Sequence, residues 1–368
     1  MVTIVCAICV AVPASVAQAQ DWWASVSGGF RREAPVARLP AATAPSHLSA
    51  APADQKLTHR DPAIAAGFDA LLRPRYTRIV MISKDRNVIY EGYAENWLKK
   101  STPLGLSISK SLTALAVGKA LCSGAIFSLQ LRTDAILPAL AGTSWGNATI
   151  EQILLMQSGS AEDGPAHTGW QTEPVAVEHR GIYNGRMTRD FIEMMRRHDA
   201  RQFKPGEKYN YNNYDTLVLG FLVEAATGRK FPDFFNEMIW QPAGPQQGGA
   251  WIQNNSGQTS TYNGFSATPE DWLRIGHFVI ESMRNPDDCF ARYLMTAAKQ
   301  MQRTHIPTRC YGYQTWSWCN EDNFLFVGYG GQYLVITPKR GVVMYVHQAS
   351  NTNDAAMMAL YQRALKLL

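Results

Sequence analysis

Alternation of apolar and polar residues marks both ends of the chain as β-structure. Residues 77–83 and 87–93 are rich in Ile, Val and Tyr, and the polar tripeptide 84–86 between them predicts a hairpin. A short helix is predicted at about 62–72 and an amphipathic helix at about 354–368. Further strand patterns follow residue 300, at 311–318, 324–327, 332–337 and 341–347.

The middle of the chain differs from both ends. Residues 123–299 show a mainly helical pattern with loops rich in Gly, Asn and Pro. This order predicts an α/β (α+β) fold. Residues 61–122 and 300–368 are expected to form one α/β domain, and residues 123–299 an inserted helical domain.

The first 60 residues have a composition of their own. Residues 2–19 carry no charge and end in Ala17-Gln18-Ala19, an A-x-A cleavage signal, although the usual basic residues before the apolar region are missing. We interpret residues 1–19 as a signal peptide, or as an anchor if retained, and expect a periplasmic or secreted protein. The Ala- and Pro-rich residues 20–60 are interpreted as a tether or wrapping arm rather than a packed element. No other segment is long and apolar enough to cross a bilayer, so no membrane span is expected in the mature chain.

Composition and charge narrow the function classes. Hydrophobic residues make up 46% of the 368 residues, enough for a large core. The formal net charge of +5 arises from 35 basic and 30 acidic residues that are interspersed along the chain. Nucleic-acid binding requires basic residues clustered on one face, and no long basic run indicates it. The sequence leaves the oligomeric state open.

Four cysteines follow the predicted signal peptide: Cys122, Cys289, Cys310 and Cys319. Four cysteines can pair in three ways, and the sequence leaves the choice open. If residues 310–319 formed one continuous strand, its two cysteines would lie roughly 30 Å apart. A bridge between them would therefore require a turn.

Ser107-Ile108-Ser109-Lys110 is the only Ser-x-x-Lys in the chain, and it opens an apolar helical stretch. Residues three apart share one helix face, so this spacing places the Ser107 hydroxyl beside the Lys110 amine. Serine is a weak nucleophile until a base takes its proton, and a lysine partly stripped of water can be that base. A chain of this length contains about one such match by chance, so the motif needs support from elsewhere.

Two loops supply that support. Tyr211 and Asn213 follow a Pro-Gly turn, and a tyrosine beside a lysine can act as an acid or a base, although both residue types are also common in loops. Later, residues 328–332 read Gly-Tyr-Gly-Gly-Gln before an apolar strand. Glycines permit close approach of a ligand, and a backbone N–H at a strand edge can donate to an oxyanion; a simple bend at the sheet edge is the alternative.

In this order, the three segments resemble the serine β-lactamase-like hydrolases, above all the class C branch with its carboxylesterases and 6-aminohexanoate-dimer hydrolases. Residues 149–159, which end in Met-Gln-Ser-Gly, and residues 264–272 are similar to further segments of that family. The resemblance covers about residues 70–368, and residues 20–60 resemble nothing that we can place. It implies a β-lactamase/transpeptidase-like fold with a central antiparallel sheet, built from both termini and flanked by helices.

The resemblance also implies roles for individual residues. Ser107 would be the nucleophile and Lys110 its general base, while Tyr211 would pass the proton to the leaving group and later activate water. Backbone N–H groups of Ser107 and Gln332 would form the oxyanion hole. The residues expected to bind substrate are Asn213, Tyr329, Gly330, Gly331 and Trp170. No metal or organic cofactor is implied.

One position departs from the family pattern. Penicillin-recognising members carry Lys or His for the substrate carboxylate where this chain has Tyr329. We therefore expect a small-molecule ester or amide as the substrate. The alternatives are a penicillin-recognising D-Ala-D-Ala peptidase or β-lactamase, and a catalytically silent protein that binds peptides or wall fragments.

Two further motifs compete with this interpretation. Residues 142–146 match the G-x-S-x-G elbow around Ser144, but that elbow requires a buried strand directly before the serine, and Pro138 argues against one. His167 begins a His-x-Gly sequence that precedes Tyr211 rather than following it. We interpret His167 as a loop residue on the substrate-facing rim, together with Trp170.

Overall fold

The computed structural model describes residues 35–160, 190–197, 199, 201–319 and 321–368. The predicted signal peptide, His167 and Trp170 lie outside the described residues. The strands are β1 Val36–Leu39, β2 Ser49–Ala50, β3 Thr77–Lys84, β4 Asn87–Tyr93, β5 Gly249–Ile252, β6 Phe265–Ser266, β7 Gln302–Arg303, β8 Arg309–Gly312, β9 Thr315–Trp318, β10 Phe324–Gly328, β11 Gln332–Thr337 and β12 Val342–Gln348.

Most of the described helices lie between β4 and β7. The helices are α1 Leu57–Arg60, α2 Pro62–Leu71, α3 Ile108–Cys122, α4 Ser144–Asn147, α5 Ile150–Leu154, α6 Phe191–Arg197, α7 Asn213–Thr227, α8 Phe231–Phe235, α9 Gln241–Ala243, α10 Pro269–Ser282, α11 Cys289–Lys299 and α12 Asp354–Leu367. A π-helical turn, Asn236–Trp240, joins α8 to α9. Short 3₁₀ turns are found at Ala53–Gln55, Thr133–Ala135, Pro138–Leu140, Pro338–Arg340 and Asn351–Asn353.

A nine-stranded sheet in the order β2-β4-β3-β12-β11-β10-β9-β8-β7 forms the centre of the structure. The predicted β3–β4 hairpin is present, and β12 pairs antiparallel with β3, which joins the two ends of the chain. All neighbours in this sheet are antiparallel except β2 and β4. The expected fold class, a central antiparallel sheet built from both termini and flanked by helices, is confirmed.

Helices cover both faces of the sheet because its strands alternate apolar side chains on both sides. Val80 and Ile82 of β3 belong to the apolar cluster under α2 and α12. Ile79 and Met81 point to the opposite cluster, which includes α3, α7 and α10. Helix α10 packs on β3, β11 and β12, although its residues belong to the segment 123–299 that was expected to form the helical domain. The proposed domain boundaries stay a prediction.

The described part of residues 20–60 is packed through strand pairing, as a wrapping arm would be and a free tether would not. Strand β1 pairs with β5 in a separate three-stranded sheet with β6, and β2 pairs with β4. Leu39 and Ala51 are buried. Ala- and Pro-rich sequence has little strand propensity of its own, but the partner strands satisfy its backbone groups here.

The single strand expected at residues 311–318 is also wrong. A tight turn at Tyr313 and Gln314, with φ values of 48° and 61°, divides it into β8 and β9. Glycine and asparagine normally mark turns with positive φ, and neither residue type is present at these two positions.

This turn also decides the pairing of the cysteines. It brings the Cα atoms of Cys310 and Cys319 to 5.1 Å, and the two residues form a disulfide. Cys122, at the end of α3, is bonded to Cys289 at the start of α11 with a Cα–Cα distance of 5.6 Å. These distances lie in the usual range for disulfides. In the part of the chain that the structure describes, no helix has both the length and the apolar character of a bilayer span.

A buried histidine makes the stability of this fold sensitive to acid. His277 on α10 is 2% exposed, and its Nε2 lies 2.8 Å from Oγ of Ser83 on β3. Burial, followed by the charge of Arg86, lowers the pKa of His277 from 6.5 to about 3. The neutral imidazole is therefore the form that the fold accepts.

We expect the free energy of unfolding to decrease as the pH falls from 6.5 towards 3, by up to about 1.4 kcal/mol per pH unit from this group. Below pH 6.5 the unfolded chain protonates His277, whereas the folded chain does not. Urea unfolding of the wild type and His277→Gln at pH 7, 6, 5 and 4.5 measures the effect, since glutamine can bond to Ser83 but does not titrate. Identical pH slopes in the two proteins would contradict this assignment.

Candidate active site

The candidate nucleophile lies at the start of the buried helix α3. Ser107 is the residue before the helix, and Lys110 is in its first turn. Nζ of Lys110 donates a hydrogen bond of 2.8 Å to Oγ of Ser107. Helix α3 is buried on nearly all sides, so Lys110 is only 1% exposed. The contact predicted from the spacing of these two residues is present.

The loop before Ser107 is held in a conformation that costs energy. Leu106 has φ 51°, a left-handed value that a branched side chain rarely adopts. The preceding Gly105 donates its N–H to the carbonyl of Phe265 over 2.9 Å. A Cβ on Gly105 would lie 2.7 Å from the ring of Trp272 on α10. Close packing therefore fixes the backbone that presents Ser107.

A second residue contacts Lys110 from the segment before β6. The carbonyl oxygen of Tyr262 accepts a hydrogen bond of 3.2 Å from Nζ, and the Tyr262 ring centroid is 5.4 Å from the same atom. Tyr262 is 2% exposed. Sequence reasoning missed this residue, which lies two positions before the segment 264–272, because no spacing rule relates it to Lys110.

Tyr211 lies beside the Ser107–Lys110 pair. Its ring centroid is 4.9 Å from Nζ of Lys110, so these three predicted residues are together in one place. The Tyr211 loop is attached to Met156, whose carbonyl accepts from the N–H of Asn210 over 2.8 Å. Asn212 then caps α7 through a 2.8 Å bond to the N–H of Tyr214, and Asn213 is the first residue of that helix.

The glycine-rich segment forms the turn between β10 and β11. Gly328 and Gln332 face each other across the two strands. A Cβ on Gly328 would lie 2.3 Å from the carbonyl oxygen of Gly105, so this turn packs directly on the loop before Ser107. Tyr329, at the tip, is 69% exposed, whereas Gln332 is buried. The oxyanion-hole role of the Ser107 and Gln332 amides stays a prediction.

Polar residues of β12 and α12 support this turn from behind. Nε2 of Gln348 donates to the carbonyl of Gly331 over 3.2 Å and to Oδ1 of Asp354 over 2.7 Å. The Tyr333 hydroxyl donates to Oδ2 of the same carboxylate over 2.7 Å. Burial raises the pKa of Asp354, and the two donors partly offset that effect. The side chain of Gln332 also contacts the ring of His347.

The competing serine lies in a different environment. Ser144 is the first residue of the four-residue helix α4 and is fully buried. Its Oγ has no hydrogen-bond partner in the described part of the chain. The preceding residues form the 3₁₀ turn Pro138–Leu140 rather than a strand. Ser144 therefore does not form a G-x-S-x-G elbow, as expected, because that motif needs an exposed serine on a strand-to-helix turn.

The chain is similar to known proteins over most of its length. The β-lactamase family model matches residues 70–367, which is most of the chain. The chain belongs to the β-lactamase family. This is a family of serine hydrolases that share the β-lactamase fold. The resemblance to serine β-lactamase-like hydrolases, inferred from the sequence motifs, is confirmed.

Individual relatives are distant. A 6-aminohexanoate-dimer hydrolase of Paenarthrobacter ureafaciens is 22% identical over 326 residues, which cover 78% of this chain and 80% of the relative. A Bacillus anthracis protein, named as a candidate 6-aminohexanoate-dimer hydrolase, has a similar structure with a TM-score of 0.76 and 17% identity, covering 94% and 93% of the two chains. EstCE1, described as a hydrolase with promiscuous acyltransferase activity, has a TM-score of 0.64 and 15% identity, with coverage of 85% and 99%.

Two neighbouring glycines in this β-lactamase-family turn provide a matched test of the site. Gly330 and Gly331 have φ values of 77° and 85°, so alanine at either position costs about 1–2 kcal/mol of backbone energy. A Cβ on Gly331 would lie 2.3 Å from Nε2 of Gln348, whereas the nearest atom to a Cβ on Gly330 is 3.7 Å away. Gly331→Ala should therefore lower the free energy of unfolding by about 1–3 kcal/mol more than Gly330→Ala, as measured by urea denaturation. Equal losses would argue against this packing of the turn.

Proposed function

We propose that the protein hydrolyses an ester or a small amide through an acyl-enzyme on Ser107. The observation that carries the proposal is the 2.8 Å contact between Oγ of Ser107 and Nζ of Lys110, together with the burial of that lysine. A desolvated lysine can take the proton of an adjacent serine hydroxyl, which makes the oxygen a nucleophile. Family membership supports a hydrolase, and one relative is named a 6-aminohexanoate-dimer hydrolase.

The proposed reaction proceeds in two halves. Oγ of Ser107 attacks the substrate carbonyl while its proton moves to Lys110, and the backbone N–H groups of Ser107 and Gln332 bind the oxyanion. Tyr211 donates a proton to the leaving alcohol or amine as the bond to the acyl carbon breaks. Tyr211 then accepts a proton from water, whose oxygen attacks the acyl-enzyme. As the acid is released, Lys110 returns its proton to Oγ of Ser107, which restores the starting state.

The substrate preference is inferred from the turn between β10 and β11. Tyr329 occupies the place where penicillin-recognising members carry a cation, and its side chain is largely exposed. A phenol offers a hydrogen bond and an apolar face but no full positive charge for a carboxylate. We therefore propose an uncharged ester or small amide at this position, with Asn213, Gly330 and Gly331 as further contacts.

We also propose that the protein works in the periplasm or outside the cell. The predicted signal peptide supports this location, and so do the two cysteine pairs at bonding distance. Disulfides persist in oxidising compartments and are rare in the cytosol of most organisms.

A fluorophosphonate probe tests the nucleophile directly. We expect intact-mass analysis to find one adduct on the wild type and on Ser144→Ala, and none on Ser107→Ala. Ser107 has the Lys110 amine beside it, whereas Ser144 is fully buried. Lys110→Met should reduce the labelling rate by about 10²-fold or more, since the proton acceptor is removed. Thermal melting checks that each variant is folded.

The same proteins distinguish the alternatives. Labelling that disappears only in Ser144→Ala would overturn the proposal in favour of that serine, and labelling of none would favour a binding protein. A fluorescent penicillin is expected to leave Ser107 unmodified. Acylation of Ser107 by this compound would instead identify a penicillin-recognising enzyme.

A further inference from the structure

The hairpin β8–β9 inserts its turn into the protein rather than into solvent. Gln314, at the turn, is 1% exposed. Its carbonyl accepts from Oγ of Ser111 on α3 over 2.8 Å, and its Oε1 accepts from Oγ1 of Thr216 on α7 over 2.6 Å. Its own N–H donates to the carbonyl of Leu154 on α5 over 2.9 Å. The turn thus connects the helix that begins after Ser107 with the helix that begins after Tyr211.

The two strands of this hairpin carry the aromatic rings that surround Tyr211. Tyr311 on β8 packs edge to face on Tyr211 with a centroid distance of 5.8 Å. Trp316 on β9 is 5.9 Å from Tyr211 and 4.9 Å from Tyr311. Lys110 contacts the same Tyr211 ring, so the ring is held between the lysine and the hairpin.

The environment of the Tyr311 hydroxyl indicates that this residue acts through the packing of its ring. Tyr311 is fully buried, and its OH has no hydrogen-bond partner within the described residues. Burial raises the pKa of Tyr311 well above its usual range, with the neighbouring Tyr211 and Tyr209 adding to the shift. The phenol therefore stays neutral, and Tyr311 contributes packing rather than charge to this part of the site.

We propose that Tyr311 and Trp316 are positioning residues that hold the Tyr211 phenol in place for proton transfer, and that the Cys310–Cys319 disulfide fixes both. This inference rests on the proposed function, because Tyr211 matters only if it transfers protons. The disulfide closes the hairpin at the end opposite the buried turn, so both ends of the two strands are fixed. A displacement of about 1 Å at a reacting group can cost on the order of 10²-fold in rate.

The two disulfides allow a matched comparison in the full-length protein. Cys310→Ser/Cys319→Ser removes the hairpin bond, whereas Cys122→Ser/Cys289→Ser removes a bond at the far end of α3. That end is about 20 Å from Ser107 along the helix. Hydrolysis of a p-nitrophenyl ester from pH 5 to 10 gives kcat, KM and the pH profile of each protein, and thermal melting gives its stability.

We expect the hairpin double variant to lose about ten- to a hundredfold in kcat, with a shifted pH profile of kcat and KM within about threefold of the wild type. The α3–α11 double variant should lose thermal stability but keep the wild-type kcat and pH profile. Equal kcat and equal profiles in both double variants would overturn the inference, since the hairpin bond would then contribute stability alone.

Trp316 provides an independent test if the hairpin variant does not fold. Trp316→Ala should reproduce the loss of kcat and the shifted profile, and Trp316→Phe, which retains a ring, should restore most of both. An unchanged profile in Trp316→Ala would overturn the inference. Ester hydrolysis that persists in Ser107→Ala would instead overturn the proposed function itself. Normal Ser107-dependent turnover with no effect of the hairpin variants would overturn only the positioning inference.

Discussion

The burial of Lys110 beside Ser107 is the constraint on which the surrounding structure depends. Lys110 is 1% exposed, so its amine depends on the protein for hydrogen bonds, and its partners include the Ser107 hydroxyl and the Tyr262 carbonyl. Both partners are placed by segments that pack against α3. The helix, the segment before β6 and the loop before Ser107 must therefore keep a fixed relation to one another.

Small hydroxyl residues of α3 secure this relation. Ser109 accepts from the N–H of Phe265 over 3.0 Å, and Thr113 donates to the carbonyl of Thr261 over 2.8 Å. Ser111 donates to the turn at Gln314. The first two bonds tie the helix to residues 261–265, and the third ties it to the β8–β9 turn, so buried polar groups are satisfied at both contacts.

The sheet supplies the other half of the site. Its strands β10 and β11 end at the glycine turn, which packs on Gly105, while β8 and β9 carry the rings around Tyr211. A network from Gln348 to Asp354 holds the turn from the opposite side. Residues separated by more than 200 positions thereby meet at one serine. The rigid sheet and the buried helix hold the loops that carry these residues in place.

The sequence by itself determined what depends on local spacing. It determined the β3–β4 hairpin and the contact of Ser107 with Lys110, because helix and strand periods place side chains by simple geometry. Family motifs located Tyr211 and the glycine turn as well. These predictions depend on neighbours a few residues apart or on a known pattern.

Only the tertiary structure decided contacts between distant segments. Four features depend on a partner far along the chain: the contact of Tyr262 with Lys110, the burial of the β8–β9 turn, the Cys122–Cys289 disulfide and the packing of the N-terminal arm. In the β8–β9 turn, Tyr313 and Gln314 adopt left-handed conformations, and neither residue type predicts such a conformation from the sequence. Buried hydrogen bonds compensate that local cost, and such bonds form only when the whole chain has folded.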